Sequence, residues 1–376
     1  MEKSMEIQVL KENLLRALTI AVKFSAQKAQ LPVLAHVLLE ATKTGIYLAA
    51  TDLDTGIRLR FAGKVVMPGS VAAPARLLNE YIGVLPLGVV EISSQKEKLT
   101  VKAKGSRATM QILADSEFPT FSQATPAAKL GEIKMVDWLG SWQKLETAVS
   151  KDLTRPVLTG VLWEMGEGRL VATDGYRLSL VEREAFNFEG AKEKIVVNGS
   201  FWGMSAKTMA DLQVDTAEIY WLKQEKQLLL KTDDVMMVGR LVEGEFPQYQ
   251  AILPKGKNVV VTVERESFLQ AVRGAMIFAR DSAQIVKLTI TKQALMVAAA
   301  AQSGGAETVL AAEQEGGELT TAFNGKFLSD FLSRGQSEQV TMALDEALKP
   351  GMFTEVGEKQ YRHVIMPIRL REPAAG

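Results

Sequence analysis

The feature that most constrains this chain is that it repeats itself. Leu31-Pro-Val-Leu34 returns as Arg155-Pro-Val-Leu158, Thr51-Asp52 as Thr173-Asp174, and Glu117-Phe-Pro119 as Glu245-Phe-Pro247, at offsets of 124, 122 and 128. Three matches in one order at nearly equal offsets define homologous units, each roughly a third of the chain, and a repeat must be recognised before a fold is assigned. A third unit shares the layout with fewer letters. The stretches Gln123–Leu130 and Pro254–Asn258 are natural links, which sets domains at 1–126, 127–254 and 255–376.

Each unit opens with a short strand and an amphipathic helix: Ile7-Gln-Val9 then Lys11–Phe24, Ile133-Lys-Met135 then Trp138–Val149, Val261-Thr-Val263 then Phe268–Ala279. Helical spacing gathers Leu14, Leu18, Ala21 and Val22 on one face. It does the same for Trp138, Trp142, Leu145 and Val149, and for Phe268, Val272, Ala275, Met276 and Ala279. Alternating strands follow, as in Ile57-Arg-Leu-Arg-Phe61 and Leu99-Thr-Val-Lys-Ala103, and a second helix comes at Ala75–Val84, Phe201–Leu212 and Lys326–Leu332. Gly45, Gly168 and Gly316-Gly317 fall where turns are required. Few helices among many antiparallel strands make this the α+β class: three similar domains of antiparallel sheet with two helices each.

The 376 residues include no cysteine and two histidines, His36 and His363. Disulfides, thiolate metal sites and thiol nucleophiles are excluded, and a histidine-rich metal centre is not expected. No P-loop, dinucleotide fingerprint, HExxH or GxSxG motif occurs. Gly166-Glu-Gly168 and Lys255-Gly-Lys257 read as ordinary turns, and His36 and His363 as packed or rim residues. Asp52 and Asp174 invite an acid–base reading, but equivalent positions of a repeat belong to separate domains, and a carboxylate after threonine at a strand end is a turn group. No apolar run approaches the ~18 residues of a membrane-spanning helix, and no signal-peptide pattern follows Met1. The expectation is a cytoplasmic binding protein without catalytic, metal or cofactor residues. Lys+Arg and Asp+Glu both number 44, but residues 1–126 hold 15 basic and 11 acidic residues, against 15 and 19 in 127–254 and 14 and 14 in 255–376. The first third is therefore the best candidate to face a polyanion.

Six segments carry a resemblance: Leu31-Pro-Val-Leu34, Ala50-Thr-Asp-Leu-Asp54, Thr154-Arg-Pro-Val-Leu-Thr-Gly160, Val171-Ala-Thr-Asp-Gly-Tyr-Arg-Leu178, Gly244-Glu-Phe-Pro-Gln-Tyr249 and Val364-Ile-Met-Pro-Ile-Arg-Leu370. In order and over nearly the whole chain, they resemble the family of bacterial sliding clamps, the beta subunits of DNA polymerase III. The resemblance implies a head-to-tail homodimer closed into a ring, with helices lining the hole, sheets outside and double-stranded DNA threaded through. Replicative polymerase, clamp loader and repair factors would be held by short peptide motifs. A ring that holds DNA by linkage needs exchangeable phosphate contacts and no base readers. The first helix carries Lys11, Arg16, Lys23 and Lys28 against Glu12, with Arg16 and Lys23 seven apart on one face. DNA contacts are expected at Arg16, Lys23, Lys28 and Arg76, at Lys151 and Arg155, and at Arg273 and Arg280; Glu146, Asp152 and Asp281 weaken the track in the second and third domains.

Carried over residue by residue, the groove for partner peptides, between the middle and last domains, would be walled by Leu158, Thr173, Gly175, Tyr176, Arg177 and Leu178. Pro247, Ile252, Leu348 and Pro350 would continue it, and Val364, Ile365, Met366, Pro367, Ile368 and Leu370 would close it. Such an apolar wall with Met and Pro suits adaptable peptide recognition. Ala251 stands where some family members carry arginine, and the polar tail Arg371–Gly376 would hang beside the groove. By the same resemblance an edge strand at Ala108, Met110 and Ile112 would meet the second subunit near Ile277 and Phe278, covering an edge that otherwise invites aggregation. A duplicated β-rich enzyme with its site between domains, and a peptide-binding scaffold that never encircles DNA, are the alternatives.

Overall fold

The computed structural model describes residues 4–26, 31–119, 128–188, 193–254, 256–280, 283–302 and 304–370. In the first third, β1 (Glu6–Leu10) runs straight into α1 (Lys11–Ala21). There follow β2 (His36–Thr42), β3 (Gly45–Thr51), β4 (Thr55–Phe61), β5 (Lys64–Met67) and β6 (Gly69–Pro74), then α2 (Ala75–Val84), β7 (Val89–Gln95), β8 (Lys98–Ala103) and β9 (Ser106–Gln111). The middle third holds β10 (Ala128–Lys134), α3 (Met135–Leu145), β11 (Gly160–Glu164), β12 (Arg169–Thr173), β13 (Arg177–Glu182) and β14 (Lys194–Asn198). It ends with α4 (Gly199–Asp211), β15 (Thr216–Leu222), β16 (Gln227–Lys231) and β17 (Val235–Arg240). The last third holds β18 (Val259–Glu264), α5 (Arg265–Phe278), β19 (Ile285–Ile290), β20 (Ala294–Ala301), β21 (Gly304–Ala311), β22 (Glu313–Gly316) and β23 (Leu319–Asn324). It ends with α6 (Gly325–Arg334), β24 (Gln339–Leu344), β25 (Gly351–Glu355) and β26 (Tyr361–Ile365). The class is α+β, with antiparallel strand pairing throughout these sheets.

The helices start where strands end, so the expected boundaries shift. The helix expected at Lys11–Phe24 gives way to a 3-10 turn at Val22–Phe24. Those expected at Trp138–Val149 and Phe268–Ala279 begin three residues earlier, because an apolar stripe marks the core-facing side and not the first turn. In α5 that turn is fixed by Glu264, whose carboxylate accepts the Glu266 and Ser267 amides. Of the second helices, Ala75–Val84 forms as expected, the one expected at Phe201–Leu212 forms as Gly199–Asp211, and the last lengthens at both ends to Gly325–Arg334.

The chain packs as two compact units, Met1–Met135 with Met204–Leu241 and Val136–Gly203 with Val242–Gly376. The first contains a five-stranded sheet, β5-β1-β7-β8-β9, and an eight-stranded one, β10-β15-β16-β17-β4-β3-β2-β6. The second contains a nine-stranded sheet, β14-β11-β12-β13-β26-β25-β24-β18-β22, and a four-stranded one, β21-β20-β19-β23. Each large sheet is thus assembled from halves of two consecutive thirds. They are joined at β4–β17 in one case and at β13–β26 in the other. Helices cover one face: α1 buries Leu14, Ala17, Leu18, Ile20 and Ala21. In the second unit Trp138 of α3 stacks on Trp202 of α4, centroids 3.9 Å apart, against Trp163 and Phe186.

Candidate functional site

The helix-free face of the nine-stranded sheet carries a row of aliphatic side chains. Register sets Val196 opposite Leu162, Leu162 opposite Val171 and Val171 opposite Leu180, and in the next row Thr173 opposite Leu178 and Leu178 opposite Val364. Residues paired directly across antiparallel strands share a face. Tyr249, from the 3-10 turn Tyr249–Ile252, inserts its ring among them, and Val157, Val242, Phe246, Ile252, Leu253 and Met352 pack around the cluster half-buried. Tyr176 is 63% exposed beside it, and its carbonyl accepts the Met366 amide at 2.9 Å, tying the β12–β13 turn to the segment after β26.

Of the expected groove residues, Leu178, Val364 and Ile252 belong to this cluster, and Thr173 lies in its second row with its hydroxyl spent on the Arg177 carbonyl. Leu158 is buried in the turn Pro156–Thr159. Gly175 holds a left-handed φ of 91° at the turn apex. Pro247, Leu348 and Leu370 are exposed, and Pro350, Met366, Pro367 and Ile368 half-buried. Arg177 and Ile365 are placed differently. They pair with each other on the opposite face, where Arg177 binds Asp174 and Asp330 at 3.0 and 2.7 Å and lies over Phe327, so its guanidinium is already engaged. Ala251 is exposed. The tail Arg371–Gly376 lies outside the described residues.

A polar cluster adjoins these aliphatic side chains. Glu164, 2% exposed at the end of β11, accepts the Tyr249 hydroxyl at 2.6 Å and Arg169 Nη1 at 3.1 Å, and pairs with Lys194. Burial acts to raise the Glu164 pKa, but the hydrogen bonds from Lys194 and Tyr249 outweigh it and hold the carboxyl below its ordinary range. Burial, then the bond to Glu164, pushes the Tyr249 hydroxyl up.

Asp52 and Asp174 are turn groups. Asp52 Oδ1 accepts the Asp54 and Thr55 amides, and Asp174 Oδ1 those of Tyr176 and Arg177. His36 Nδ1 lies 3.0 Å from the Pro32 carbonyl. His363 is fully buried on β26, 2.9 Å from the Ser179 hydroxyl and stacked on Phe331; burial, then the Arg177 charge, lowers its pKa to about 3. No cluster of metal-ligating side chains occurs among the described residues. Nor is any described helix long and apolar enough to cross a membrane.

Of the expected DNA contacts, Arg16 and Lys23 come together in the first unit. Both are exposed on a cleft with Glu12, Leu15, Thr19, Ile20 and Asp211. Asp211, which sequence reasoning missed, accepts Arg16 Nη2 on its carbonyl at 2.7 Å and sets a carboxylate oxygen 3.6 Å from Lys23. Arg76, Lys151, Arg273 and Arg280 are exposed, and Lys28 lies outside the described residues. Arg155 pairs with Asp152 at 3.7 Å, and its Nη1 stands 3.5 Å from where a Cβ on Gly175 would lie, which puts it beside the β12–β13 turn.

Two strands, β9 and β21, each end a sheet with one side unpaired. On β9 Ala108 is half-buried and Met110 6% exposed, and Ile112, just past the strand, is 7% exposed, so the side chains of Met110 and Ile112 belong to their own core and only the backbone edge is presented. By β21, Val309 is 63% and Ile277 60% exposed, with Phe278 half-buried.

Three family models match the chain: the N-terminal domain of the DNA polymerase III beta subunit at residues 5–122, its central domain at 141–248 and its C-terminal domain at 250–369. The chain is 26% identical to the beta sliding clamp of Pseudomonas putida over 97% of its own length and all of that protein's. It is 28% identical to that of Synechocystis over 90% and 93% of the two chains. Among solved structures, the DNA polymerase III beta subunit of Thermotoga maritima matches with a TM-score of 0.90 at 25% identity, covering 98% and 100% of the chains. The Pseudomonas aeruginosa sliding clamp bound to griselimycin matches with 0.91 at 26% identity and the same coverage.

Proposed function

Since the chain belongs to the family of the DNA polymerase III beta subunit, we propose that it works as a DNA sliding clamp. It is a cytoplasmic homodimeric ring that encircles duplex DNA and tethers the replicative polymerase and other factors, conferring processivity without chemistry of its own. Its three domains span 1–126, 127–254 and 255–376. Partners bind through short apolar peptides on the Leu178–Val364–Ile252 face, with Tyr176 at its rim; the clamp loader and repair factors use the same face. The phosphates are met by Arg16, Lys23, Lys28, Arg76, Lys151, Arg155, Arg273 and Arg280, weakly enough to slide.

The observation that carries this reading is the repeated joint. Consecutive thirds meet twice in the chain, at β4–β17 and β13–β26, and the third instance of the same joint has its two strands, β21 and β9, left over. Pairing β9 with β21 of a second copy, and the reverse, satisfies both edges and closes a head-to-tail dimer. The register follows from the strand starts. Thr55 and Gly304 are the first residues of β4 and β21, and Val235 and Ser106 the first of β17 and β9, which aligns the strands. Since Arg58 pairs with Met236 and Ile57 with Met237, Arg107 should face Glu307 of the partner subunit, and Ala108 should face Ala306 of the partner subunit. The first of these sets opposite charges directly across the joint. Native mass spectrometry with an image of the particle tests the reading: a dimer with a central opening is expected, and a monomer or a solid particle refutes it.

A further inference from the structure

We infer that Tyr249 and Glu164 are positioning residues for the peptide groove, an inference that rests on the groove reading above. The wall carrying Phe246, Ile252 and Leu253 belongs to no sheet and has only 3-10 turn structure at Tyr249–Ile252. Two backbone bonds hold its start, Leu241 amide to Lys226 carbonyl and Val242 amide to Val196 carbonyl, but the described backbone bonds beyond them, Tyr249 amide to Pro247 and Ala251 amide to Gln248, stay within the segment.

Further along, Tyr249 ties the wall to the strands through its side chain. Its ring is 3% exposed in the aliphatic cluster, and its hydroxyl ends on a carboxylate that is itself 2% exposed. Glu164 is in turn fixed by side chains from two neighbouring strands, Arg169 of β12 and Lys194 of β14. Arg169 is locked by Glu182 at 2.8 Å and also donates to the Tyr249 oxygen at 3.2 Å. A charged, buried, fully engaged acceptor makes this bond stronger than an ordinary neutral one. The bond therefore sets how far Ile252 and Phe246 stand from Leu178 and Val364, and hence the groove's width for an apolar side chain. Tyr249 acts through the wall and need not touch a peptide.

The test uses the full-length protein and griselimycin, the ligand of the related Pseudomonas aeruginosa clamp. Tyr249→Phe keeps the ring and deletes the hydroxyl. Griselimycin should bind roughly 3- to 10-fold more weakly, mainly through faster dissociation. Amide exchange in 248–253 should rise about tenfold while β11, β12 and β13 keep their protection. Glu164→Gln should weaken binding at least as much, and the double variant should be no weaker than Glu164→Gln alone, because both substitutions cut one tether. Affinity within twofold of wild type for Tyr249→Phe overturns the inference, and so does weakened binding with unchanged exchange in 248–253. If the wild type itself does not bind griselimycin, the groove reading falls, while the exchange measurement still decides whether the tyrosine holds the wall.

Discussion

Reversing one charge at the unfilled joint should break the dimer, and restoring the opposite charge across it should mend it. Arg107 and Glu307 are both exposed in the single chain. Neither hydrogen-bonds or ion-pairs with a described residue, so reversing either disturbs no packing within its own unit. In the register taken from β4–β17 they stand directly opposite each other on the helix-free face. An exposed cross-strand pair contributes up to about 1 kcal/mol, and like charges in the same place cost about as much. Arg107→Glu therefore shifts each joint by about 2 kcal/mol. A closed dimer contains the joint twice, so separation into monomers is favoured by about 4 kcal/mol, roughly a thousandfold in dissociation constant. Sedimentation equilibrium over nanomolar to micromolar protein reads this directly. Glu307→Arg alone should behave the same way, and the double reversal should return to within about tenfold of wild type. Raising the salt should shrink the difference between single variants and wild type, since both side chains are solvent-exposed in the single chain. Dimers of unchanged affinity in the single variants, or folded double variants that stay monomeric, would refute the register.

Other outcomes follow from the same geometry. Ile277→Asp should give a folded monomer by native mass, because the side chain is largely exposed beside β21; an intact dimer would move the interface elsewhere. His363 has its pKa lowered from an ordinary 6.5 to about 3 by burial. The unfolded chain then binds the extra proton first, so the second unit should lose about 1.4 kcal/mol of stability per pH unit as pH falls below about 6.5. Urea titrations followed by the buried tryptophans should show that slope flattened in His363→Gln, and an unchanged slope would assign the acid sensitivity to other groups. Asp211→Asn removes the carboxylate beside Lys23 and should tighten binding to a short duplex about twofold at low salt, read by fluorescence anisotropy; weaker binding would contradict the proposed track. Gly168→Ala should cost about 1–3 kcal/mol in the same urea titration, since φ is 59° and a Cβ would stand 2.5 Å from the Arg183 carbonyl oxygen; full stability would mean that the turn can relax.

The strand–helix–strands–helix layout is legible in the repeat alone, because three short matches in register identify the unit without resolving its strands. The large sheets are not legible in the same way. Strands such as Gly160–Glu164 and Arg177–Glu182 are buried on both faces almost throughout, so they show no alternation and cannot reveal which side faces the helices. The family resemblance names Arg177 and Ile365 beside Leu178 and Val364, whereas the register sets them on the opposite face, and Leu162, Val171, Leu180 and Val196, which it does not name, belong to the apolar cluster. Tyr249 is visible only as part of Gly244-Glu-Phe-Pro-Gln-Tyr249; its tie to Glu164 spans 85 positions and leaves no mark in local sequence. Met110 and Ile112 show the converse. They lie at an edge, but an edge strand presents its backbone, and its apolar side chains can still face inward.

Mechanical linkage to DNA is the property on which a sliding clamp depends, and the absence of cysteine from the chain permits a direct test of it. Ala108→Cys and Ala306→Cys would lie opposite each other across both joints, at the Cα separation of about 4.5–5.5 Å that a disulfide accepts. Protein assembled in the presence of circular plasmid and then oxidised should form doubly cross-linked dimers that remain on the circle in denaturing detergent. One cut by a restriction enzyme should release them. Failure of the disulfides to form, loss from the uncut circle, or retention on the linear product would each contradict a closed ring threaded by its DNA.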